Sequence, residues 1–556
     1  MNGVVDPLAP RYTVSAVANA IAAAIAEREF IVQGDKRLTY LQVVHRANRL
    51  ARFLNGRGLG CHTDRRELAN HQCGQDLLGI YALNGNEYIE GMLAAFGSRV
   101  APFNINYRYV KDELTYLLAD SGASALLYHG TFAPRVAEVL PELPHVRVLI
   151  QIADASDHDL LPGAVDYESI VGSGRVDPPD VTPSPDDLYV LYTGGTTGRP
   201  KGVLWRQHDI FVSAFGGRDF LTGEVIGSCQ ELVARAAATA PAKILVLPPL
   251  MHGAAQWSVL NAMTTGQTVV LPTAVDRMDA EEVVNLIDAE QIVVVQAVGD
   301  AMARPVLAAA ARRGAALSSV AVWANGGAAL TSAIKHRLAQ VRPGLLMIDG
   351  VGSSEAGQQM RQLSSGDADL SSSFTPGPDT CVASEDLRAI LSPGHEGMGW
   401  LAQRGFVPLG YLGDAVKTAA TFPEIQGHRY SIPGDRARHL ADGSIELLGR
   451  DSVTINSGGE KIFAEEVEAA IASHPAVADV VVAARPSERW GQEVVAIVAL
   501  TGSADASAQH LIDHAAKSIA RYKLPKAVVF RDGIERSPAG KPDYRWAYQQ
   551  ARNPPG

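Results

Sequence analysis

Apolar and polar positions along the chain follow two rhythms. Short runs such as "SALLYH", "VRVLIQIA", "KILVLPPL", "QTVVLP" and "QIVVVQAV" are apolar almost throughout and rich in β-branched residues. A strand buried on both faces reads this way, because neither face meets water. Between these runs lie stretches with helical spacing, such as "DAEEVVNLIDAE". The alternation predicts βα units and parallel sheets, hence an α/β architecture. Two polar stretches, "RVDPPDVTPSPDD" and the segment 362–379 ("QLSSGDADLSSSFTPGPD"), read as surface connections, and no repeat of fixed period interrupts the pattern.

The rhythm changes near residue 450. From there "GRDSVTINSGGEKIFAEEVEAAIASHPAVADVVVAARP" predicts a glycine-bearing turn, an amphipathic helix and a buried strand. Charge changes at the same place: residues 1–450 carry a net −10 and residues 451–556 a net −1, within a total of −11. A chain of 556 residues is too long for one core. Two domains are therefore expected, 1–450 and 451–556. The acidic balance argues against nucleic acid as a partner, since such binding needs a basic face to release counterions.

The Ala-rich "TVSAVANAIAAAIAERE" lacks a basic lead-in and reads as an amphipathic helix of a cytoplasmic protein, not a signal peptide. No apolar run approaches the roughly 20 residues that span a bilayer, which leaves peripheral membrane contact and a homodimer open. Cys61, Cys73, Cys229 and Cys381 have no metal-ligand or paired spacing and are expected as reduced thiols.

The strongest chemical signal is "LYTGGTTGRPKGVLW", Leu191 to Trp205. A glycine-rich turn after a strand points several backbone N–H groups at one anion. Gly194, Gly195 and Gly198 supply such a turn, Thr193, Thr196 and Thr197 supply hydroxyls, and Lys201 supplies a charge. The nucleotide P-loop pattern fails here, because Pro200 precedes Lys201 and Gly202 follows it.

The segment "TGGTTGRPKG" resembles the phosphate loop of the adenylate-forming superfamily, which includes acyl-CoA synthetases, peptide-synthetase adenylation domains and luciferases; Gly194 stands where a serine is usual. Further motifs follow in family order, and the resemblance runs from about residue 37 to 550. It implies a large N-terminal domain of mixed β-sheets and helices with a small mobile α+β C-terminal domain. "PPLMHGAAQW" is similar to the acyl-pocket motif and implies acyl contacts at His252, Gly253 and Trp257. "ANGGAAL" is similar to the loop lining both sites, with Gly326 towards the acyl group and Gly327 towards the nucleotide. "DGVGSSE" resembles the adenine and magnesium motif: Asp349, Val351, Gly352, Ser354 and Glu355 would meet ATP, with Glu355 and Thr196 on Mg2+. Val351 replaces a tyrosine common in relatives. Asp435 corresponds to the ribose ligand, Arg450 to the residue ending the large domain, and Ser452 to the hinge. Gly458, Gly459, Glu460 and Lys461 belong to a loop like the one that forms the pantetheine tunnel for coenzyme A. Lys541, in "SPAGKPDYRWA", holds the place of the adenylation lysine.

The implied reaction explains why these residue types are needed. A carboxylate attacks the α-phosphorus of ATP, so two anions must meet while pyrophosphate leaves; unit charges 4 Å apart repel by about 4 kcal/mol at an effective dielectric near 20. Lys541, Lys201, Mg2+ and the loop N–H groups would offset that repulsion. No protein nucleophile is required, and none of the usual nucleophile motifs is present. The acyl motifs contain small residues and no acid to pair with an α-ammonium, which favours a long or bulky apolar acid over an amino acid; the resemblance implies a medium- or long-chain fatty acid or a sterol side-chain acid. Coenzyme A is the expected acceptor, and the basic run "KSIARYKLPK" suits a phosphorylated cosubstrate. The alternatives are an acyl-AMP ligase that loads a carrier protein and a non-catalytic acyl or adenylate sensor.

Overall fold

The structure is a computed structural model that describes residues 11–193, 199–328, 330–365, 373–450, 453–457, 460–487, 491–502, 506–519, 521–536 and 541–552. The five apolar runs named above all form strands, Ala125–His129, Val148–Ile152, Lys243–Val246, Thr268–Val270 and Val294–Ala297, and each has a parallel partner. The helical stretch between residues 279 and 290 forms Ala280–Ala289, started by the Asp279 carboxylate, which accepts from the N–H groups of Glu281 and Glu282.

Two sheets make up the larger part. One runs in the order Gly410–Tyr411, Lys201–Arg206, Leu188–Thr193, Ala101–Asn104, Leu77–Tyr81, Ala125–His129, Val148–Ile152, Ala164–Asp166. The other contains a parallel block, Thr268–Val270, Lys243–Val246, Val294–Ala297, Val322–Gly326 and Leu346–Ser353, which turns antiparallel at Gly357–Ser365. Beyond it, antiparallel strands from Ser373–Pro376 to Ile445–Arg450 extend the same sheet. The largest core cluster lies between these layers and includes Val14, Val17 and Ile21 from the N-terminal helix Val14–Ala24, together with Trp205, Phe211 and Trp257.

Part of the segment expected as a surface connection is strand. Residues 362–365 belong to Gly357–Ser365 and 373–376 to Ser373–Pro376. Polarity misleads here because backbone ladders order both pieces, and one polar side chain is buried with a partner: Gln362 accepts from the Lys335 ammonium at 2.9 Å.

From Ile455 onward the chain builds a separate five-stranded sheet with its own apolar cluster, including Val467, Ile471, Val482 and Val498. The expected amphipathic helix and buried strand are Ala464–Ala472 and Val477–Ser487. That helix also packs on Ile445–Arg450, the Glu465 carboxylate lying against Gly449.

Candidate active site

Four neighbouring parallel strands end at the same edge, and a motif loop leaves each end. Lys243–Val246 leads to His252, Val294–Ala297 to Gly299, Val322–Gly326 to Gly327, and Leu346–Ser353 to Glu355. Ligands of open α/β sheets gather outside the carboxyl ends of the strands, where backbone groups are left unpaired.

One buried side chain ties three of these loops together. Asn325 accepts from the Gly299 N–H at 2.6 Å and donates to the Ala328 carbonyl and to Asp349 Oδ1, both at 2.9 Å. Asp349 also pairs with Lys335, whose side chain is buried. The Asp349 carboxylate thus braces the strand end. Beyond it, Val351 and Gly352 form a bulge, and Val351 packs against the cluster of Met360, Val382 and Leu401. Gly327 adopts φ +85°, a left-handed conformation that glycine enters cheaply, and Gly326 lies beside the Gly350 carbonyl.

The phosphate-loop motif is a hairpin. Leu188–Thr193 pairs antiparallel with Lys201–Arg206, setting Thr193 opposite Lys201. Gly194, Gly195, Thr196, Thr197 and Gly198 lie outside the described residues. The base of the hairpin is fixed by Asn104, which accepts from the Tyr192 N–H at 2.8 Å and donates to the carbonyls of Tyr192 and Met251 at 2.9 and 2.7 Å. Because Met251 precedes His252, the same amide joins the hairpin to the acyl motif.

A segment that sequence reasoning missed, Tyr411–Asp414, completes this corner. Its strand, Gly410–Tyr411, pairs with Lys201–Arg206. The Tyr411 hydroxyl donates to Glu355 Oε1 at 2.9 Å, and Asp414 pairs with Lys201. Glu355 is held at its backbone too, its carbonyl accepting from the Ser431 hydroxyl at 2.5 Å, while the Ser354 carbonyl accepts from the Trp205 indole at 2.8 Å.

On the acyl side, His252 is the N-cap residue of helix Gly253–Thr264. Burial, reinforced by the positive charges of Lys541 and Arg108, lowers its pKa to about 4, so the imidazole is neutral at pH 7. Lys541 thereby lies within electrostatic reach of His252, although it belongs to the distant C-terminal sheet unit. A side chain at Gly253 would meet Leu191, its Cβ falling 2.8 Å from Leu191 Cδ2, so the helix start closes directly on the strand that leads to the phosphate loop. Trp257 is 8% exposed in the main core cluster, with its ring against Gly253.

Asp435 opens strand Asp435–His439 and stands in register with Arg450. Glu460 and Lys461 lie on the strand Glu460–Ile462. Ser452, Gly458 and Gly459 lie outside the described residues, as do the side chains of Arg450, Glu460 and Lys461.

Comparison with known proteins shows the family. Residues 18–412 match the AMP-binding enzyme family and residues 466–541 the C-terminal domain of AMP-binding enzymes. The medium-chain acyl-CoA ligase Mig of Mycobacterium avium is 66% identical, over 98% of both chains. The 3-oxocholest-4-en-26-oate–CoA ligase of Rhodococcus rhodochrous is 39% identical, over 95% of this chain and 93% of that protein.

The chain belongs to the AMP-binding enzyme family.

Within it the chain is an acyl-CoA synthetase, as the resemblance of its motifs implied. Solved structures share its fold. The anthranilate CoA ligase AuaEII in complex with anthranoyl-AMP has a TM-score of 0.80 at 20% identity, covering 98% of each chain. ATP-bound MatB from Rhodopseudomonas palustris has a TM-score of 0.78 at 18% identity, covering 96% of this chain and 99% of that one.

The residues that sequence reasoning missed, Asn104, Arg108, Asn325, Lys335, Tyr411 and Asp414, share one property: none lies in a glycine-rich or otherwise distinctive run that advertises ligand chemistry, except Asn325 inside "ANGGAAL". Their importance comes from what they touch.

Among the described residues no group of three or more His, Cys, Asp or Glu side chains could hold a metal by itself. A single carboxylate, Glu355, with a hydroxyl beside it is nonetheless the donor set expected for Mg2+, which takes one or two carboxylates and completes its shell with water and substrate phosphates. Among the described residues no helix is long and apolar enough to cross a membrane.

Proposed function

We propose that this acyl-CoA synthetase activates a medium- to long-chain fatty acid, or a comparably bulky apolar acid, in the cytoplasm. ATP converts the acid to acyl-AMP with release of pyrophosphate, and the thiol of coenzyme A then takes the acyl group. The observation that carries the reading is that Lys201, on one sheet, is joined through Asn104 and the turn Tyr411–Asp414 to His252 and Glu355 beyond the strand ends of the other, where the Lys541 charge from the far end of the chain is felt at His252.

In this reading Lys541 neutralises the approaching carboxylate and α-phosphate. Lys201 and the hairpin take the β and γ phosphates, and Asp435 accepts from the ribose hydroxyls. Mg2+, held by Glu355 and Thr196, would spread the negative charge of the phosphates. Neutral His252 donates or accepts a single hydrogen bond at the acyl entrance without adding charge. Small residues after it, Gly253, Ala254 and Ala255, leave width for an apolar chain. The C-terminal unit, joined through Ser452, then turns to bring the Gly458–Lys461 loop and coenzyme A to the adenylate. The names of the two curated relatives support both acid classes. The higher identity, 66% against 39%, favours a medium-chain acid.

The experiment is a panel of acids of rising chain length and ring content, run with and without coenzyme A. Preference for medium or long chains with acyl-CoA as product is expected; preference for acetate refutes the wide pocket, and acyl-AMP without transfer refutes the acceptor. Lys541→Ala should abolish pyrophosphate release that depends on the acid, by 100-fold or more on the order seen for a lost charge at a reacting centre. Undiminished release by the folded variant refutes the role of Lys541.

A further inference from the structure

Lys201 already has an anionic partner. Asp414 Oδ2 pairs with its ammonium, and Oδ1 accepts from the Lys417 N–H at 2.9 Å, starting helix Ala415–Thr421. The two side chains are 34% and 30% exposed, so the pair is open to water and to a ligand. Lys201 also lies 5.9 Å from the centre of the Tyr411 ring, and Lys417 lies 5.0 Å from it. The Tyr411 hydroxyl reaches Glu355. The turn Tyr411–Asp414 therefore touches both the cation assigned to the phosphates and the carboxylate assigned to Mg2+. Lys201 and the helix start hold the Asp414 carboxyl below the usual range, so it is ionised wherever the enzyme works.

A polyphosphate arriving at the hairpin brings several negative charges to the ammonium that Asp414 occupies. Each anion weakens the other's hold on Lys201, and the two repel. Such a contact has a use: binding energy spent equally on substrate and product does not raise turnover, and product release often limits it.

We propose that Asp414 is the resident counter-anion of Lys201: a positioning residue that holds the ammonium at the hairpin before ATP binds, competes with the phosphates for it, and so sets ATP affinity and pyrophosphate release. This rests on the reading of Lys201 as a phosphate-binding residue given above.

Asp414→Asn separates charge from structure, because asparagine starts helices as well as aspartate does. In the full-length protein, calorimetry with an ATP analogue methylene-bridged between the α and β phosphates should show about 2–5-fold tighter binding, the upper part of the range expected when a partly exposed charge pair is removed. The inhibition constant of pyrophosphate should fall by a similar factor, with the KM of the acid unchanged. A merely structural role for Asp414 would loosen ATP, not tighten it. Lys201→Met is the control. If Lys201→Met leaves analogue binding unchanged, the reading of Lys201 fails and takes the proposal with it. If Lys201→Met weakens binding while Asp414→Asn fails to tighten it, the proposal alone is overturned. Should Asp414→Asn not fold, Asp414→Ser retains a capping hydroxyl and carries the same test.

Discussion

Replacing Lys335 by methionine keeps the length of the side chain and deletes its ammonium. The Lys335 and Asp349 side chains are 7% and 10% exposed, so the lone carboxylate could not recover its solvation. Removing one member of a buried pair costs about 3–5 kcal/mol. Asp349 keeps the 2.9 Å bond from Asn325, whereas Gln362 Oε1 loses its donor from Lys335. The lower end, about 3 kcal/mol, is therefore expected. Some of this would appear as function. The Asn325–Asp349 contact joins the loops at Gly299, Ala328 and Val351, and an unpaired Asp349 pulls on all three. The KM for ATP should rise about 5–20-fold, or roughly 1–2 kcal/mol of binding, with a smaller change in the KM of coenzyme A. Urea unfolding followed by near-ultraviolet circular dichroism measures the first quantity, and initial-rate kinetics the second. Adding Asp349→Asn to Lys335→Met removes the unpaired charge and should recover more than half of the lost stability. Two results would refute the reasoning: Lys335→Met within about 1 kcal/mol of the parent with an unchanged KM for ATP, or a double variant less stable than the single one.

Two other substitutions test neighbouring features. Tyr411→Phe removes the hydrogen bond to Glu355 and should raise the Mg2+ concentration for half-maximal adenylation about 3–10-fold, given the roughly 1.5 kcal/mol of a hydrogen bond to a charged group; an unchanged Mg2+ dependence would show that Tyr411 does not orient Glu355. Glu468 is half-buried, and desolvation of its carboxyl, followed by repulsion from Glu465, raises its pKa to about 8. The folded protein keeps this proton where the unfolded chain, with an ordinary carboxyl near 4.3, gives it up. Stability should therefore fall as pH rises from about 4.3 to about 8 and level off above. Glu468→Gln still offers an acceptor to the Val482 N–H, bonded at 2.8 Å in the parent, and should flatten that slope, with a gain on the order of 2 kcal/mol at pH 9. Equal slopes in thermal melts at pH 5, 7 and 9 would place the proton elsewhere.

Much of the candidate site was proposed from sequence alone because ligand chemistry leaves local marks. Phosphate needs glycine-rich turns, threonines and a lysine in one short run, so Lys201 stood out without any structure, as did Glu355 and Asp435 once the motifs were read in order. The partners of Asp349 mark the limit of such reading. Nothing in "DGVGSSE" points to Lys335 or Asn325, which hold its carboxylate. Likewise, Ser364 and Gln362 looked like surface polarity and are buried strand residues. Local composition does not reveal a partner that folding brings from elsewhere in the chain.

The sequence alone determined the α/β class, the parallel runs, the family and the reaction, because buried strands and phosphate loops are encoded by residues adjacent along the chain. Tertiary structure alone decided which groups meet. It brought the Lys541 charge near enough to lower the His252 pKa, joined Tyr411 to Glu355, and closed Asp414 on Lys201. These interactions link segments remote in sequence, and all of them depend on distance in space. Only the packing of two sheets and a separate C-terminal unit sets that distance.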